Sequence, residues 1–145
     1  MFVDASAVVA ILAREALADD LMHRIRQTSN PIYYSSITMY EAVVGLARKT
    51  AISIYGDQVP TPAGLLMDVQ ADVEEFLTTI GATEVPIDVG MHRLALDAAR
   101  NFGRATGHPA KLNFGDCFAY ATAKALDVPL LFVGDDFGRT DITPA

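Results

Sequence analysis

The chain has 145 residues, of which 51% are hydrophobic and 20% charged, and its formal net charge is −7. This composition excludes a disordered chain, and the length favours a single domain over residues 1–145. The acidic balance argues against a protein that coats polyanions, because nucleic-acid binders usually present a basic face. It does not exclude an enzyme that meets nucleic acid at a metal-charged cleft.

Neither a membrane span nor a secretory leader is predicted. No run reaches the roughly 18 apolar residues that a membrane helix needs. The opening "MFVDASAVVAIL" lacks a basic segment, and Asp4 interrupts its apolar run. The single cysteine, Cys117, excludes an internal disulfide framework. Together these features favour the cytoplasm.

The first half of the chain alternates between strands and helices. "MFVD" has the pattern of a short buried strand, "ASAVVAILA" that of a helix, and "EALADDLMHRIRQ" that of a second helix. "PIYYSS" is a second strand, and a helix follows from about Thr38 to Arg48. The stretch "AISIYGDQVP" is expected to be irregular, bounded by Gly56 and Pro60.

The second half continues the alternation. A helix is predicted to begin at Thr61-Pro62, because proline favours the first helical turn. The strand "GATEVPI" follows, and then a helix that ends near Gly107. "LNFGDCFAYATAKALDV" is another helix, and "PLLFVG" is the last strand. This order predicts an α/β sandwich around a central, mostly parallel sheet.

Acidic residues fall at related places in this pattern. Asp4 follows the first strand, and the pair Asp135-Asp136 follows the last one. Glu41 and Asp116 are predicted in the first turns of helices. Because ligands of open α/β sheets bind outside the carboxyl ends of the strands, four distant segments could bring their carboxylates into one cleft.

Each acid also has a purely structural explanation. Thr38-x-x-Glu41 fits a capping box, in which the glutamate bonds back to the first amide of the helix. Asn113 could cap its helix and place Asp116 at the third helical position. Negative charge in a first turn is favoured by the helix dipole in any case, and the acidic pair after the last strand could form a turn.

Taken as a set, the acids indicate a metal site. Isolated charges beside apolar segments are unfavourable unless they are paired or bound to a metal. Clustered carboxylates repel one another unless a cation lies among them. Oxygen-only ligands suit Mg²⁺ or Mn²⁺, and such a site can activate water and stabilise charge on a phosphate during in-line attack.

Other chemistries lack support. Cys117 has apolar flanks and no adjacent base, which favours a buried core thiol, and Phe114 and Phe118 are expected to pack beside it. The three histidines lack the spacing of a zinc site. The sequence contains no P-loop, no dinucleotide-binding fingerprint and no nucleophile elbow.

One stretch of the chain is basic. Between Met91 and Lys111, four basic residues and one acidic residue give a net charge of +3 with histidines neutral. This stretch has two interpretations, a solvated helix face or a patch that contacts phosphates. The basic residues that could hold phosphates flanking a reactive site are Arg100, Arg104 and Lys111.

At the acidic positions the sequence resembles the PIN-domain nucleases, and most closely the VapC ribonuclease toxins of prokaryotic toxin–antitoxin pairs. The stretches "FVDASAVVAIL", "SSITMYEAVVGLARK" and "LNFGDCFAYATAKALDVPLLFVGDDFGRTDI" carry the resemblance. It spans nearly the whole chain and is weakest over residues 51–65. It implies a PIN-like three-layer α/β/α sandwich with a central, mostly parallel sheet of four or five strands.

The resemblance also implies an active site. Asp4, Glu41 and Asp116 would be metal-site acids, with Asp136 favoured as the fourth and Asp135 as its alternative. They would hold one or two Mg²⁺ or Mn²⁺ ions and cut single-stranded or structured RNA as a toxin.

Two further polar residues would support these acids. Ser6 would steady the first acid, and Asn113 would orient the helical turn of the third.

Similar toxins form homodimers and are neutralised by a small antitoxin protein whose tail enters the cleft. Two other classes of protein remain open on the sequence. One is a catalytically inactive PIN-like module that only binds or regulates. The other is a phosphoacceptor receiver domain, which would need a lysine near the end of the last strand, where "LLFVGDD" has none.

Overall fold

The computed structural model describes all 145 residues and contains one four-stranded sheet in which every pairing is parallel. The strands are β1 (Phe2–Val3), β2 (Tyr33–Ser35), β3 (Thr83–Val85) and β4 (Leu130–Leu131). Their order in the sheet is β3-β2-β1-β4, so the chain steps outward from β1 and then returns to its other side. The direction of winding therefore reverses between β1 and β4, which is where open α/β sheets bind ligands.

Six helices flank the sheet, in agreement with the expected α/β class. They are α1 (Ala5–Leu12), α2 (Ala18–Gln27), α3 (Ser36–Tyr55), α4 (Ala63–Thr79), α5 (Met91–Phe102) and α6 (Phe114–Leu126). None of them combines the length and the apolar character that crossing a membrane requires.

The central strands are buried on both faces. Val3 and Leu131 belong to a core formed with residues of α1, α2, α3 and α4. Phe2 and Leu130 belong to a second core formed with residues of α5 and α6. Since neighbouring residues of a strand point to opposite faces, the two cores lie on opposite sides of the sheet. This arrangement is the three-layer sandwich, and it explains why β1 and β4 are apolar throughout.

Helix α3 is longer than the sequence predicted, at both ends. Ser35 caps it, and its hydroxyl accepts a hydrogen bond from the Thr38 amide at 3.3 Å. The segment Ala51–Tyr55, which was expected to be irregular, forms its last turns. Ala51 is fully buried and continues the apolar face of the helix. The helix ends only at Gly56, whose φ of +85° lies in the region that favours glycine.

The helix predicted to end near Gly107 is divided in two. Helix α5 ends before Gly103, which is extended and pairs with Leu112. A β-carbon at Gly103 would lie 2.2 Å from the Ala99 carbonyl oxygen, so only glycine permits this break. The 3-10 turn Arg104–Thr106 follows. The break turns the chain away from α5 and sets Arg104 beside the start of α6.

The last strand is shorter than "PLLFVG" suggested. Only Leu130–Leu131 form β4, and the segment that follows bends at Gly134, whose φ is +106°. Asp135 and Asp136 therefore lie beyond the strand end, in an exposed bend before a short 3-10 turn.

Candidate active site

Asp4 lies at the carboxyl end of β1 and caps α1. It is only 4% exposed, and its Oδ2 accepts hydrogen bonds from the Ser6 amide at 2.9 Å and from the Ser6 hydroxyl. Burial raises the pKa of the Asp4 carboxyl, and the hydrogen bonds from Ser6 and Ala5 oppose this effect. The buried acid has no ion pair with a lysine or arginine, which is an unfavourable state for a charge unless a cation is supplied.

The Ser6 hydroxyl connects two segments of the sheet edge. It donates to Asp4 and accepts a hydrogen bond from the Val133 amide at 3.0 Å. The Asp4 amide in turn donates to the Leu131 carbonyl at 2.9 Å. The expected support of Asp4 by Ser6 is therefore present as a contact, and it also joins the end of β1 to the segment after β4.

Glu41 is the sixth residue of α3, because the helix begins at Ser36. The capping-box interpretation of this glutamate is therefore wrong, since Ser35 is the cap and Glu41 lies in the second turn. Burial, followed by the charges of Asp4 and Asp116, raises the pKa of the Glu41 carboxyl to about 7. A helix cap does not explain this half-buried acid, whereas a shared carboxylate site does.

The carboxylate of Glu41 lies against the backbone of Gly115. A β-carbon built on Gly115 would be 1.9 Å from the Glu41 Oε2 and 2.1 Å from its Cδ. Gly115 is buried and immediately precedes Asp116 in α6. The absence of a side chain there allows α3 and α6 to bring their acids together.

Asp116 caps its own helix and also faces the other acids. It forms a complete capping box: the Asp116 amide donates to Asn113 Oδ1 at 3.0 Å, and the Asn113 amide donates to Asp116 Oδ2 at 2.7 Å. Burial raises the pKa of Asp116 to about 6, the charges of Asp4 and Asp136 act in the same direction, and the Asn113 amide and Arg104 oppose them. Asp116 can therefore cap its helix and belong to the acidic site at the same time.

The fourth acid differs from the other three in its exposure. Asp135 and Asp136 are both exposed. The charge of Asp136 contributes to the raised pKa of Asp116, whereas Asp135 contributes to none of the shifted acids of the site. The charge of Asp136, rather than that of Asp135, therefore acts on the cluster.

The three basic residues singled out from the sequence are placed differently. Arg104 is exposed, and it is the one cation whose charge lowers the pKa of a site acid, Asp116. Arg100 forms an ion pair with Asp97 on the exposed face of α5. Lys111 is exposed in a left-handed conformation with a φ of 51° and has no contact that links it to the acids.

An apolar groove beside the acids was not anticipated from the sequence. The α5–α6 groove has a volume of about 510 Å³ and runs between α5, the 3-10 turn and the start of α6. Its apolar walls include Leu96, Phe114 and Phe118, and its polar rim is formed by His92, Arg104 and Asn113. Cys117 is buried at its base, 5% exposed, as expected of a core thiol.

Phe114 departs from the packing role expected of it. Its side chain is 69% exposed, and its ring lies 4.9 Å from that of Phe118 at an angle of 53°. The sequence signal that could have indicated this exposure is its place at the first position of a capped helix, where a side chain has no preceding turn to pack on.

The comparisons with known proteins agree with this arrangement. The family model of the PIN domain matches residues 1–142. A VapC ribonuclease of Rhizobium meliloti (strain 1021) is 38% identical over 141 residues, which is 97% of this chain and 98% of that protein. Ribonuclease VapC42 of Mycobacterium tuberculosis is 34% identical over 145 residues, covering 100% of this chain and 98% of that protein. The chain belongs to the VapC ribonuclease family of PIN-domain proteins.

A solved structure supports the fold of this VapC-family chain. The crystal structure of Mycobacterium tuberculosis VapC20, a toxin that cleaves the Sarcin-Ricin loop, superposes with a TM-score of 0.68 at 10% sequence identity. The match covers 99% of this chain and 97% of that one. The resemblance inferred from the sequence, in both family and PIN-like fold, is confirmed.

The acids of this VapC-family chain suit a hard divalent cation. No three Asp, Glu, His or Cys side chains stand close enough to form a ready-made metal site. The donor set is nevertheless made only of carboxylate oxygens, which match Mg²⁺ and Mn²⁺. Burial is the main cause of the raised pKa values of Asp4, Glu41 and Asp116, and neighbouring carboxylates add to it at Glu41 and Asp116. A bound cation would offset both effects, since it favours the ionised form of each acid. The residues present therefore fit such an ion.

Proposed function

We propose that this VapC-family chain is a divalent-cation-dependent endoribonuclease and the toxin of a toxin–antitoxin pair. The observation that supports this function best is the convergence of carboxylates from four segments. The charges of Asp4 and Asp116 act on Glu41, and those of Asp4 and Asp136 act on Asp116. These segments meet at the switch point of the sheet, outside the ends of β1 and β4. A site of this kind suits hydrolysis of a phosphodiester.

In this proposal Asp4, Asp116 and Asp136 hold Mg²⁺ or Mn²⁺. When bound, the ion stabilises the negative charge that develops on the scissile phosphate. It also reverses the local charge, which lets an acidic protein accept RNA.

We assign the remaining roles, which are orienting Asp4, activating the water and holding a phosphate, to residues of the chain itself. Ser6 fixes the orientation of the Asp4 carboxylate through its hydroxyl and amide. Glu41 positions the attacking water and accepts its proton on a carboxylate oxygen. Arg104, whose charge already acts on Asp116, holds a phosphate next to the site.

The partners follow from the same proposal. The substrate is RNA, the protein acts in the cytoplasm as a homodimer, and a cognate antitoxin blocks the acidic cleft. An antitoxin segment bearing an arginine would suit this cleft, because a guanidinium can pair with the carboxylates that otherwise hold the cation.

Growth after induced expression tests the toxin activity. We expect the wild-type chain to arrest growth and to deplete or fragment specific RNAs, and Asp4→Ala to do neither. Asp57→Ala is the matched control, because Asp57 is an exposed acid outside the cluster. A folded wild-type protein that leaves growth and RNA unchanged would instead support the inactive PIN-like module.

A further inference from the structure

We propose that the α5–α6 groove binds an unpaired nucleobase of the RNA, which stacks on Phe114 while Arg104 holds the adjoining phosphate. This inference rests on the proposed ribonuclease function, and it names a substrate-binding feature that the acids alone do not provide. Four observations support it: the exposure of Phe114, the continuity of the groove with the acids, the unpaired charge of Arg104, and the groove's size.

Phe114 offers a fixed aromatic face to solvent. Its side chain is 69% exposed although phenylalanine is strongly apolar, and it leans on the ring of Phe118 at 4.9 Å. The capping box between Asn113 and Asp116 fixes the backbone on either side of it. Base stacking on exposed aromatic rings is a common way of holding single-stranded nucleic acid, because every base has a π-face.

The groove is continuous with the acidic site. Asn113 lines the groove and exchanges hydrogen bonds with Asp116 through both its amide and its side chain. Arg104 also lines the groove, and its charge acts on Asp116. When one phosphate of the RNA lies at the acids, the base of a neighbouring nucleotide can therefore reach the groove.

The charge of Arg104 is available for a phosphate. None of the four ion pairs in the structure includes this residue, and its side chain is exposed. Arg104 lines a mostly apolar groove, and its charge acts on Asp116. The apolar face of a base and the charged phosphate attached to it match a mostly apolar groove with a cation beside it.

The size of the groove suits a small-ligand site. Its volume of about 510 Å³ falls within the roughly 300–1,000 Å³ of such sites. A single nucleobase is therefore an occupant that the groove can hold.

Fluorescence of a single-stranded RNA carrying one 2-aminopurine tests the proposal directly. In an Asp116→Asn background, which prevents cleavage, we expect titration with Mn²⁺ present to quench the fluorophore as it stacks. Adding Phe114→Ala should abolish the quenching and weaken binding about 5- to 160-fold. Phe114→Trp should preserve both, whereas Phe114→Leu, which keeps the apolar surface without the π-face, should lose the quenching.

The matched control is Tyr55→Ala. Tyr55 is an exposed aromatic residue, 51% accessible, at the opposite end of α3 from Glu41, and its removal should leave RNA binding unchanged. In the cleavage-competent protein, Phe114→Ala should raise KM by a factor similar to the loss of binding and change kcat less. Thermal unfolding will show whether each variant is folded, and the exposure of Phe114 predicts that it is.

The outcomes separate this inference from the function on which it rests. If the wild-type protein neither binds nor cleaves RNA, the proposed function fails and the groove has no role in it. If the wild type cleaves RNA with dependence on its acids but Phe114→Ala binds RNA equally well, only the base-binding inference is overturned. A change in oligomeric state on Phe114→Ala, with RNA binding intact, would assign the groove to a contact between copies and overturn it too.

Discussion

Glu41 and Gly115 are in direct contact across two helices, α3 and α6. The Glu41 carboxylate occupies the space that a β-carbon on Gly115 would fill, 1.9 Å from its Oε2. Gly115 precedes Asp116, and the charge of Asp116 contributes to the raised pKa of Glu41. The contact therefore sets how closely the second and third acids of the site approach each other.

Gly115→Ala should impair catalysis more than folding. The added methyl group displaces the end of a flexible side chain, so we expect only a small change in thermal stability. It moves Glu41 away from the site, and misplacement by about 1 Å can lower the rate about 100-fold. Gly64→Ala is the control, because an added β-carbon there contacts nothing within 4 Å. Equal cleavage rates in the two variants would show that the position of Glu41 is unimportant.

Of the two acids that follow β4, one should be essential for RNA cleavage and the other dispensable. We expect Asp136→Asn to reduce RNA cleavage to background, because the charge of Asp136 acts on Asp116. Asp135→Asn should cleave at close to the wild-type rate, since Asp135 affects none of the site acids. Parallel cleavage assays at saturating Mn²⁺ measure this, and the reverse ranking would make Asp135 the fourth acid.

The cation-free protein should lose stability as the pH rises from about 4.5 to about 7. Over this range Glu41 is protonated in the folded state, where its pKa is about 7, and ionised in the unfolded state, where its pKa is 4.5. The folded state then binds more protons, so raising the pH destabilises it. We expect Glu41→Gln to be more thermostable than wild type at pH 8 and equal to it near pH 4.5, measured in EDTA.

Divalent cations should reverse this loss. At pH 8 Glu41 and Asp116 are ionised and free to bind, so Mn²⁺ should raise the Tm of the wild type strongly. Near pH 5 protons occupy Glu41 and Asp116, and the same Mn²⁺ concentration should raise the Tm much less. A shift in Tm that does not depend on pH would argue against cation binding by these acids.

Removal of the Ser6 hydroxyl should affect both activity and stability. Ser6→Ala removes one hydrogen bond to Asp4 and leaves the Val133 amide without its acceptor. An unpaired amide of this kind costs about 1–3 kcal/mol, and loss of a group that orients a metal-site acid lowers activity or metal affinity about 10- to 100-fold. Ser53→Ala, at an exposed position of α3, is the control. Unfolding in denaturant and RNA cleavage together measure the two effects.

Much of this arrangement could be predicted from the sequence. The strand–helix alternation gave the α/β class, and the apolar strands that end in Asp4 and precede Asp136 placed acids at one edge of the sheet. Glu41 was assigned to the wrong turn, because Thr38-x-x-Glu41 satisfies the spacing of a capping box while the serine that caps the helix lies three residues earlier. A local pattern could not distinguish these two helix starts.

The groove could not be predicted, because it depends on tertiary structure. Phe114 and Phe118 have the spacing of a packed pair on a helix. The groove also requires the break at Gly103, which ends α5 and places Arg104 along the groove together with Phe114. The break itself depends on the pairing of Gly103 with Leu112, a contact that helix periodicity does not indicate.

RNA cleavage by purified protein, with Mn²⁺ and with excess EDTA, tests the central claim most directly when the wild type is compared with Asp116→Asn. Four coupled carboxylates that hold an essential cation predict cleavage only by the wild type and only with Mn²⁺. Asp116→Asn keeps a side-chain oxygen that can accept the Asn113 amide, so thermal unfolding should show that the variant is folded. Cleavage that survives EDTA, or that is unchanged in Asp116→Asn, would contradict the assignment of this site.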